Sequence, residues 1–363
     1  MSAPTTPVVR TGRLARLLGL PMLEALMTPH GVDRYLELVH PMLAVRELRA
    51  ELTHVHRPTE NSVTITLRPN RRGWRFRAGQ YVQVTVDIDG VRRTRCFSPA
   101  SAEQATDGFE LTIKAHADGL VSRYLYRNAR PGMVVGITEA SGTFALPANR
   151  PERVVLISGG SGITPVMSML RTLLHERHRG EIAFLHYSDP GQCPYADELA
   201  RLAERHDNLS VAVLDPARSG PFTARQLGTV APWYAEAQTY LCGPSGLMDA
   251  VGEFYRRQGL GARVHTESFT AAPLPQDEDA EGEIVFQRSG LRADNSGGSL
   301  LAQAESAGLT PEHGCRMGIC FSCTQVKKSG CVRNALTGDI STEENEEIQL
   351  CISVPVGNVT LDI

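Results

Sequence analysis

Val154-Val155-Leu156-Ile157-Ser158-Gly159-Gly160-Ser161-Gly162-Ile163-Thr164-Pro165 starts as a buried strand and ends in the first turn of a helix. Four consecutive aliphatic residues without polar alternation predict a strand covered on both faces, as in parallel sheets. The apolar run that continues to Leu174 predicts the helix. Between them, three glycines let backbone N–H groups and the helix N-terminus converge on a pyrophosphate. A tight strand-to-helix turn needs glycine in any case, so this turn alone does not separate a phosphate cradle from a plain connection.

Its surroundings carry the argument further. Downstream, Glu181–His186, Leu209–Leu214 and Thr239–Cys242 read as further strands alternating with helices. That pattern predicts an α/β domain with a parallel sheet over residues 150–272. The last of these strands ends in Cys242-Gly243-Pro244, which puts a thiol at the carboxyl edge of the sheet, where ligands of open α/β folds bind. A small buried hydrophobe is the plainer reading of that cysteine.

Upstream, over residues 48–149, the pattern is alternating: Val63–Leu67, Tyr81–Val86, Phe109–Ile113 and Met133–Val135. Turn pairs at Arg72-Gly73, Asp89-Gly90, Asp107-Gly108 and Pro131-Gly132 separate them and predict a small antiparallel β-barrel, interrupted by one helix near 121–130. Arg95-Cys96-Phe97-Ser98 closes a strand with a phosphate-pairing guanidinium, an aromatic ring and a hydroxyl. His116-Ala-Asp-Gly119-Leu120-Val121-Ser122 then leads into the helix, offering a second helix N-terminus for a pyrophosphate.

Residues 1–47 read as a helical N-terminal extension broken by Pro21, Pro29 and Pro41. Packing on the barrel is the expected role. Arginines flanking leucines also suit an interfacial helix, hence possible peripheral membrane proximity. Residues 273–281 form an acidic linker with nothing to bury. Residues 282–363 make an α+β segment with ten acidic against six basic side chains, whereas the rest carries 30 against 31. Glu343, Glu344, Glu346 and Glu347 read as a solvated run, or else as a docking face for a basic partner. The net charge of −3 and the lack of a basic, aromatic-interleaved stripe argue against nucleic acid. No run of about 18 apolar residues or secretory core occurs, so a cytoplasmic protein is expected.

The C-terminal segment holds Cys315, Cys320 and Cys323 in C-x4-C-x2-C spacing, with Cys351 further on. This is the spacing of a plant-type [2Fe-2S] loop. Gly314 and Gly318 permit the positive φ angles of such a loop, and Ser322 can add a hydrogen bond near the sulfurs. Disulfides and zinc are the rival readings. Zinc sites more often pair one C-x2-C with another or with histidines, and the tight spacing without a secretory signal disfavours disulfides. Cys193 and Cys331 read as spare thiols, and His54 and His56 as a surface pair on a strand.

Taken in order, Arg95-x-Phe97-Ser98, Gly119-x-Val121-Ser122, Gly159-Gly160-x-Gly162-Ile163-Thr164-Pro165, Cys242-Gly243-Pro244 and Glu267-Ser268-Phe269 resemble the ferredoxin-NADP reductase family of flavoproteins. With the cysteine segment behind them, the chain is similar to single-chain reductases that serve oxygenases, hydroxylases and fatty acyl desaturases. The resemblance implies three domains: an antiparallel barrel for FAD, a parallel-sheet domain for NAD(P), and a β-grasp-like [2Fe-2S] ferredoxin domain. It implies that Arg95 and Ser122 hold flavin phosphates, Phe97 stacks on the flavin and Ser98 sits near its N5. Gly159 to Pro165 then bind the dinucleotide, with Cys242, Glu267 and Phe269 around the two rings. Phe97 departs from the commoner tyrosine, which removes any hydrogen bond from that hydroxyl.

A nicotinamide gives two electrons as a hydride and a cluster takes one at a time, so a flavin must stand between them. The implied order is NAD(P)H, FAD, [2Fe-2S], then a separate oxygenase-type acceptor. A membrane-bound di-iron fatty acyl desaturase is the expected client, and a Rieske-type oxygenase or a redox-sensing role the alternative. Plant-type clusters, near about −400 mV, are reducing enough for either acceptor. Asp189 after the second strand suits a ribose diol, whereas Arg218 and Arg225 after the third suit a 2′-phosphate; the relatives tip the expectation toward NADPH over NADH.

Overall fold

In a computed structural model, the described residues are 32–44, 46–117, 119–269, 280–314, 316, 318 and 321–363. Helix α1 (Val32–Val39) is the described part of the N-terminal extension. Asp33 accepts the N–H groups of Arg46 and Glu47 at 3.0 and 2.9 Å, and the buried Arg49 donates to the Pro41 carbonyl at 2.8 Å. The rest of the expected helical extension, residues 1–31, lies outside the described residues, as does most of the linker.

Six strands follow: β1 (Arg49–Thr59), β2 (Ser62–Pro69), β3 (Val82–Ile88), β4 (Val91–Phe97), β5 (Phe109–Lys114) and β6 (Val134–Ile137). They pair antiparallel in the order β4-β3-β6-β1-β2-β5 around a core in which Trp74 stacks on Phe109 at 4.4 Å. The β3–β4 hairpin turns on Asp89 and Gly90, both left-handed (φ 54° and 77°), the pair that keeps tight hairpins twisted correctly. Helix α2 (Leu120–Asn128) covers one end and buries Val121 and Leu125.

The second domain runs β7 (Val154–Gly159), α3 (Ile163–His175), β8 (Ile182–Tyr187), α4 (Ala196–Arg205) and β9 (Leu209–Leu214). Short helices α5 (Pro216–Ser219) and α6 (Ala224–Val230) lead to β10 (Gln238–Cys242), α7 (Ser245–Arg257) and β11 (Val264–Glu267). The sheet is wholly parallel, ordered β11-β10-β7-β8-β9, with both faces buried. Strand β11 is an addition to the sequence reading. Its four residues, Val-His-Thr-Glu, carry no apolar run, yet they place Glu267 beside Cys242.

The last module comprises β12 (Glu283–Phe286), β13 (Leu291–Asp294), α8 (Leu300–Ser306), β14 (Thr324–Asn334), β15 (Ile340–Ser341), β16 (Glu346–Gln349) and β17 (Ser353–Leu361). β12 and β17 pair in parallel and the other strands antiparallel, around a core of its own that includes Phe286, Leu300 and Leu361. Lys327 is wholly buried in it, donating to the carbonyls of Gly330 and Ser341 and paired with Glu346 at 3.2 Å. No helix among the described residues is long and apolar enough to cross a membrane.

Candidate active site at the barrel–sheet cleft

In the parallel sheet, β7 and β10 are neighbours from which the chain departs to opposite sides, the switch point at which open α/β sheets form a crevice. The strand ends meet there without spare room. A Cβ on Gly162 would collide with the Cys242 carbonyl, and one on Gly159 would lie 2.8 Å from Pro244 Cδ. Both glycines therefore have a packing reason to exist, independent of any phosphate, and Gly160 adds a left-handed turn (φ 53°). Register aligns Glu267, Cys242, Ser158 and His186 across four adjacent strands, hence on one face.

Of these four only Glu267 reaches the cleft between sheet and barrel, Cys242, Ser158 and His186 being fully buried; the barrel strands line the cleft with Tyr81, Arg95, Cys96, Phe97, Ser98, Thr112 and Lys114. His116, Gly119, Val121 and Ser122 line it at the start of α2, and Ser161, Thr164 and Glu267–Phe269 from the other side. Thus Arg95 to Ser98, Ser122, Thr164, Glu267 and Phe269, distant in sequence, come together as expected. Leu120 does not join them and is 47% exposed. Ile163 and Pro165 are buried in the first turn of α3 and are not among the cleft's lining. Gly159, Gly160, Gly162, Cys242, Gly243 and Pro244 sit at the switch point, outside this cleft's lining.

Lys114, His116, Thr112 and Tyr81 are lining residues to which motif reading gave no role. Strand alternation through Phe109–Lys114 and the position of His116 just before Gly119 were the available signals. Arg95, Lys114 and the α2 N-terminus make the barrel side of the cleft cationic, suited to a pyrophosphate. The His116 ring is held below its ordinary pKa by burial and by Lys114. Gly119 is fitted to its role, because a Cβ there would strike Ser122 Oγ, which donates to the Gly119 carbonyl at 3.2 Å.

At the other end of the cleft, burial pushes the Glu267 carboxyl up to about 8, opposed by the nearby Ser98 hydroxyl. Ser98 Oγ and Glu267 Oε2 are nevertheless buried with no hydrogen-bond partner of normal geometry. Two orphaned polar atoms facing a cleft fit an absent polar ring system such as a flavin. Cys242 is fully buried, and burial together with Glu267 pushes its thiol well above the usual range, so it stays protonated. His186 donates or accepts at Ser158 Oγ (2.9 Å), and burial lowers its pKa to about 4.

In the C-terminal module, Cys315 and Cys320 lie outside the described residues, and no group of three metal-ligating side chains forms among those described. Cys323 and Cys351 are buried next to each other. Cys351 N–H points at Cys323 Sγ (3.4 Å) and Gly318 N–H at Cys351 Sγ (3.3 Å). Backbone N–H groups aimed at thiolate sulfur are the second shell of iron–sulfur sites. Arg316, Gly318 and Phe321 all take positive φ (60°, 73° and 55°), as a chain wrapping a compact group requires.

Asp189 lies in the loop after β8. Arg218, 87% exposed, lies 3.5 Å from Asp215, and Arg225 is exposed at the start of α6. Both arginines are on the carboxyl side of β9.

Two family models match: the oxidoreductase FAD-binding domain over residues 51–146 and the oxidoreductase NAD-binding domain over 156–253. The chain belongs to the FAD- and NAD-binding oxidoreductases of the ferredoxin-NADP reductase family, and it is an NAD(P)H-dependent electron-transfer reductase. It is 34% identical over 345 residues to an NADPH oxidoreductase of Mycobacterium tuberculosis, covering 93% of this chain and 90% of the relative. The glycine betaine monooxygenase reductase subunit of Pseudomonas aeruginosa is 29% identical, over 79% of this chain and 87% of its own. Phthalate dioxygenase reductase shares the fold, with a TM-score of 0.58 and 24% identity over 88% of this chain and 98% of that one.

Proposed function

We propose that this reductase passes electrons from NADPH through FAD and a [2Fe-2S] cluster to a separate oxygenase-type protein, with a membrane-bound di-iron fatty acyl desaturase as the client. Arg95, Ser122 and the α2 N-terminus hold the flavin diphosphate, Phe97 lies against the ring, and Ser98, Cys242 and Glu267 surround the reacting edge. The turn from Gly159 to Gly162 and the N-terminus of α3 take the dinucleotide, with Phe269 over the ring site. FAD supplies the conversion of one hydride into two single electrons. The chain's own groups bind and orient, keep the Cys242 thiol neutral, and hold a proton on Glu267 at neutral pH.

The single observation that carries the reading is the cleft, where residues from both matched domains meet around two unpartnered polar atoms. Cys315, Cys320, Cys323 and Cys351 hold the cluster, supported by their spacing and by the N–H groups aimed at two of the sulfurs. NADPH is favoured by Arg218 and Arg225 beyond β9 and by the name of the M. tuberculosis relative. That relative's similarity covers 93% of this chain, far enough to reach into the helical extension, whereas the monooxygenase reductase stops at 79%. The extension is the feature that favours the desaturase client. A second reading, service to a soluble monooxygenase, is favoured by the name of the Pseudomonas relative.

Two measurements test this. The purified protein should show flavin bands near about 450 nm with broad iron–sulfur absorbance; a colourless or flavin-only protein overturns the chain of carriers. Removing the gene should abolish acyl-chain unsaturation. Intact unsaturation with a lost hydroxylation transfers the role to a monooxygenase.

A further inference from the structure

Helix α3 starts at the glycine turn and runs about 20 Å. One stripe of it, Ser168, Arg171 and Thr172 at i, i+3 and i+4 spacing, faces the barrel rather than its own sheet. Ser168 Oγ donates to the Ser101 carbonyl at 2.7 Å, and Thr172 Oγ1 accepts the Glu103 N–H at 3.0 Å. Arg171 donates to the Ala100 carbonyl and to Glu110, both at 2.9 Å, while gripping Glu198 of α4 at 2.8 and 2.6 Å. Residues 100–103 follow directly on Ser98. Further along the same barrel wall, the buried Tyr195 hydroxyl bonds Thr112 Oγ1 at 2.5 Å and Glu110 at 3.2 Å on β5, and Arg171 lies over its ring at 5.0 Å. Thr112, which lines the cleft, is in turn bonded to Thr64 at 2.7 Å. Two stretches of the barrel wall are therefore tied to the α/β domain: residues 100–103 and Glu110 directly by α3, whose first turn is the dinucleotide turn, and Thr112 by Tyr195 at the start of α4.

We infer that Ser168, Arg171, Thr172 and Tyr195 are positioning residues that fix the dinucleotide turn relative to Phe97 and Ser98, and so set the geometry for hydride transfer. The inference rests on the flavin and nicotinamide reading above. In the step concerned, a hydride leaves the nicotinamide, which is oxidised, and the flavin is reduced by the same two electrons. Magnitudes separate positioning from simple adhesion. Apolar packing of Val166, Met169 and Leu170 with Ala78, Phe144 and Leu146 already holds the domains together. Each polar bond adds only about 1 kcal/mol of stability, whereas a displacement of about 1 Å at a reacting pair costs up to about 100-fold in rate. Directional bonds at this interface matter more for alignment than for cohesion.

The test uses the full-length, cofactor-loaded protein carrying Ser168→Ala with Thr172→Val, and separately Tyr195→Phe, which removes a single oxygen. FAD content and the affinity for NADP+, read from the visible difference spectrum, should stay within about twofold. The shape of that spectrum should change, and the rate of flavin bleaching at saturating NADPH should fall about tenfold. Bleaching within twofold of the parent, with only the melting temperature lowered, overturns the inference. Tyr195→Phe decides the matter if the double variant does not fold. Failure of the parent protein itself to bleach with NADPH overturns the hydride reading instead, and is distinguishable because no variant is involved.

Discussion

The junction between barrel and parallel sheet and the C-terminal module are built to opposite specifications. Across the first, one helix makes hydrogen bonds into residues 100–110, and a buried tyrosine bonds Thr112 on the same barrel wall. The second closes a core of its own and follows a segment whose composition, Pro-Gln-Asp-Glu-Asp-Ala-Glu, offers nothing to bury. A hydride moves only between atoms in contact and correct alignment, whereas a single electron tunnels across a range of separations. The contrast in construction matches the contrast in what each junction would transfer under the proposed function.

The strongest way to break the comparison is to remove one cluster thiolate. Cys320→Ser should reduce electron delivery to the physiological acceptor, and to cytochrome c, to background, while flavin bleaching by NADPH stays within about twofold of the parent, since ligand loss forfeits the metal site outright. If both rates collapse together, the two junctions are not independent.

Stability should divide in the same way. Lys327 is a fully buried ammonium whose charge partner is Glu346, a carboxyl held below its usual range first by Ser341 and then by Lys327. Glu346→Gln removes that partner and leaves the buried ammonium on its hydrogen bonds to Gly330 and Ser341 alone, a cost of about 1–2 kcal/mol because Glu346 is partly solvated. The melt followed by cluster absorbance should drop, with the melt followed by flavin fluorescence unchanged. A shared drop would show one cooperative unit. Deleting residues 274–278 tests the segment between the modules: the flavin-to-cluster step should slow about tenfold as the module's reach shortens, with flavin bleaching untouched.

Much of this was legible in the chain because periodicity and punctuation agree. The barrel strands alternate between turn pairs that contain glycine, and the central parallel strands β7 and β8 each open on four apolar residues. What was missed has physical reasons. β11 is short, polar and at a sheet edge, so no periodicity marks it, although Glu267 owes its position to it. Of the motif from Gly159 to Pro165, Ser161 and Thr164 line the cleft while Ile163 and Pro165 are buried beside them, because a strand-to-helix turn has to pack as well as present its backbone. Lys114 and His116 escaped for a different reason: each is unremarkable in sequence and acquires meaning only when the sheet folds them over the cleft. The stripe on α3 is invisible as well, since Ser168, Arg171 and Thr172 read as ordinary polar positions until the barrel supplies their partners.

The effect most specific to the rigid junction is a pH dependence. Glu267 keeps its proton up to about pH 8 in the folded protein because its site is buried, whereas the unfolded chain loses it near the ordinary carboxyl value. The folded state therefore binds the extra proton between these two values, so its stability is full below about pH 4.5 and declines as pH rises to about 8. Glu267→Gln keeps the shape and has no proton to lose. Its melting temperature, read by flavin fluorescence, should match the parent near pH 4.5, exceed it increasingly up to about pH 8, and run parallel above that. A difference constant across the whole range would mean that the carboxyl is solvated and the cleft open. The same difference appearing in the cluster melt would mean that the tight junction and the C-terminal module unfold as one.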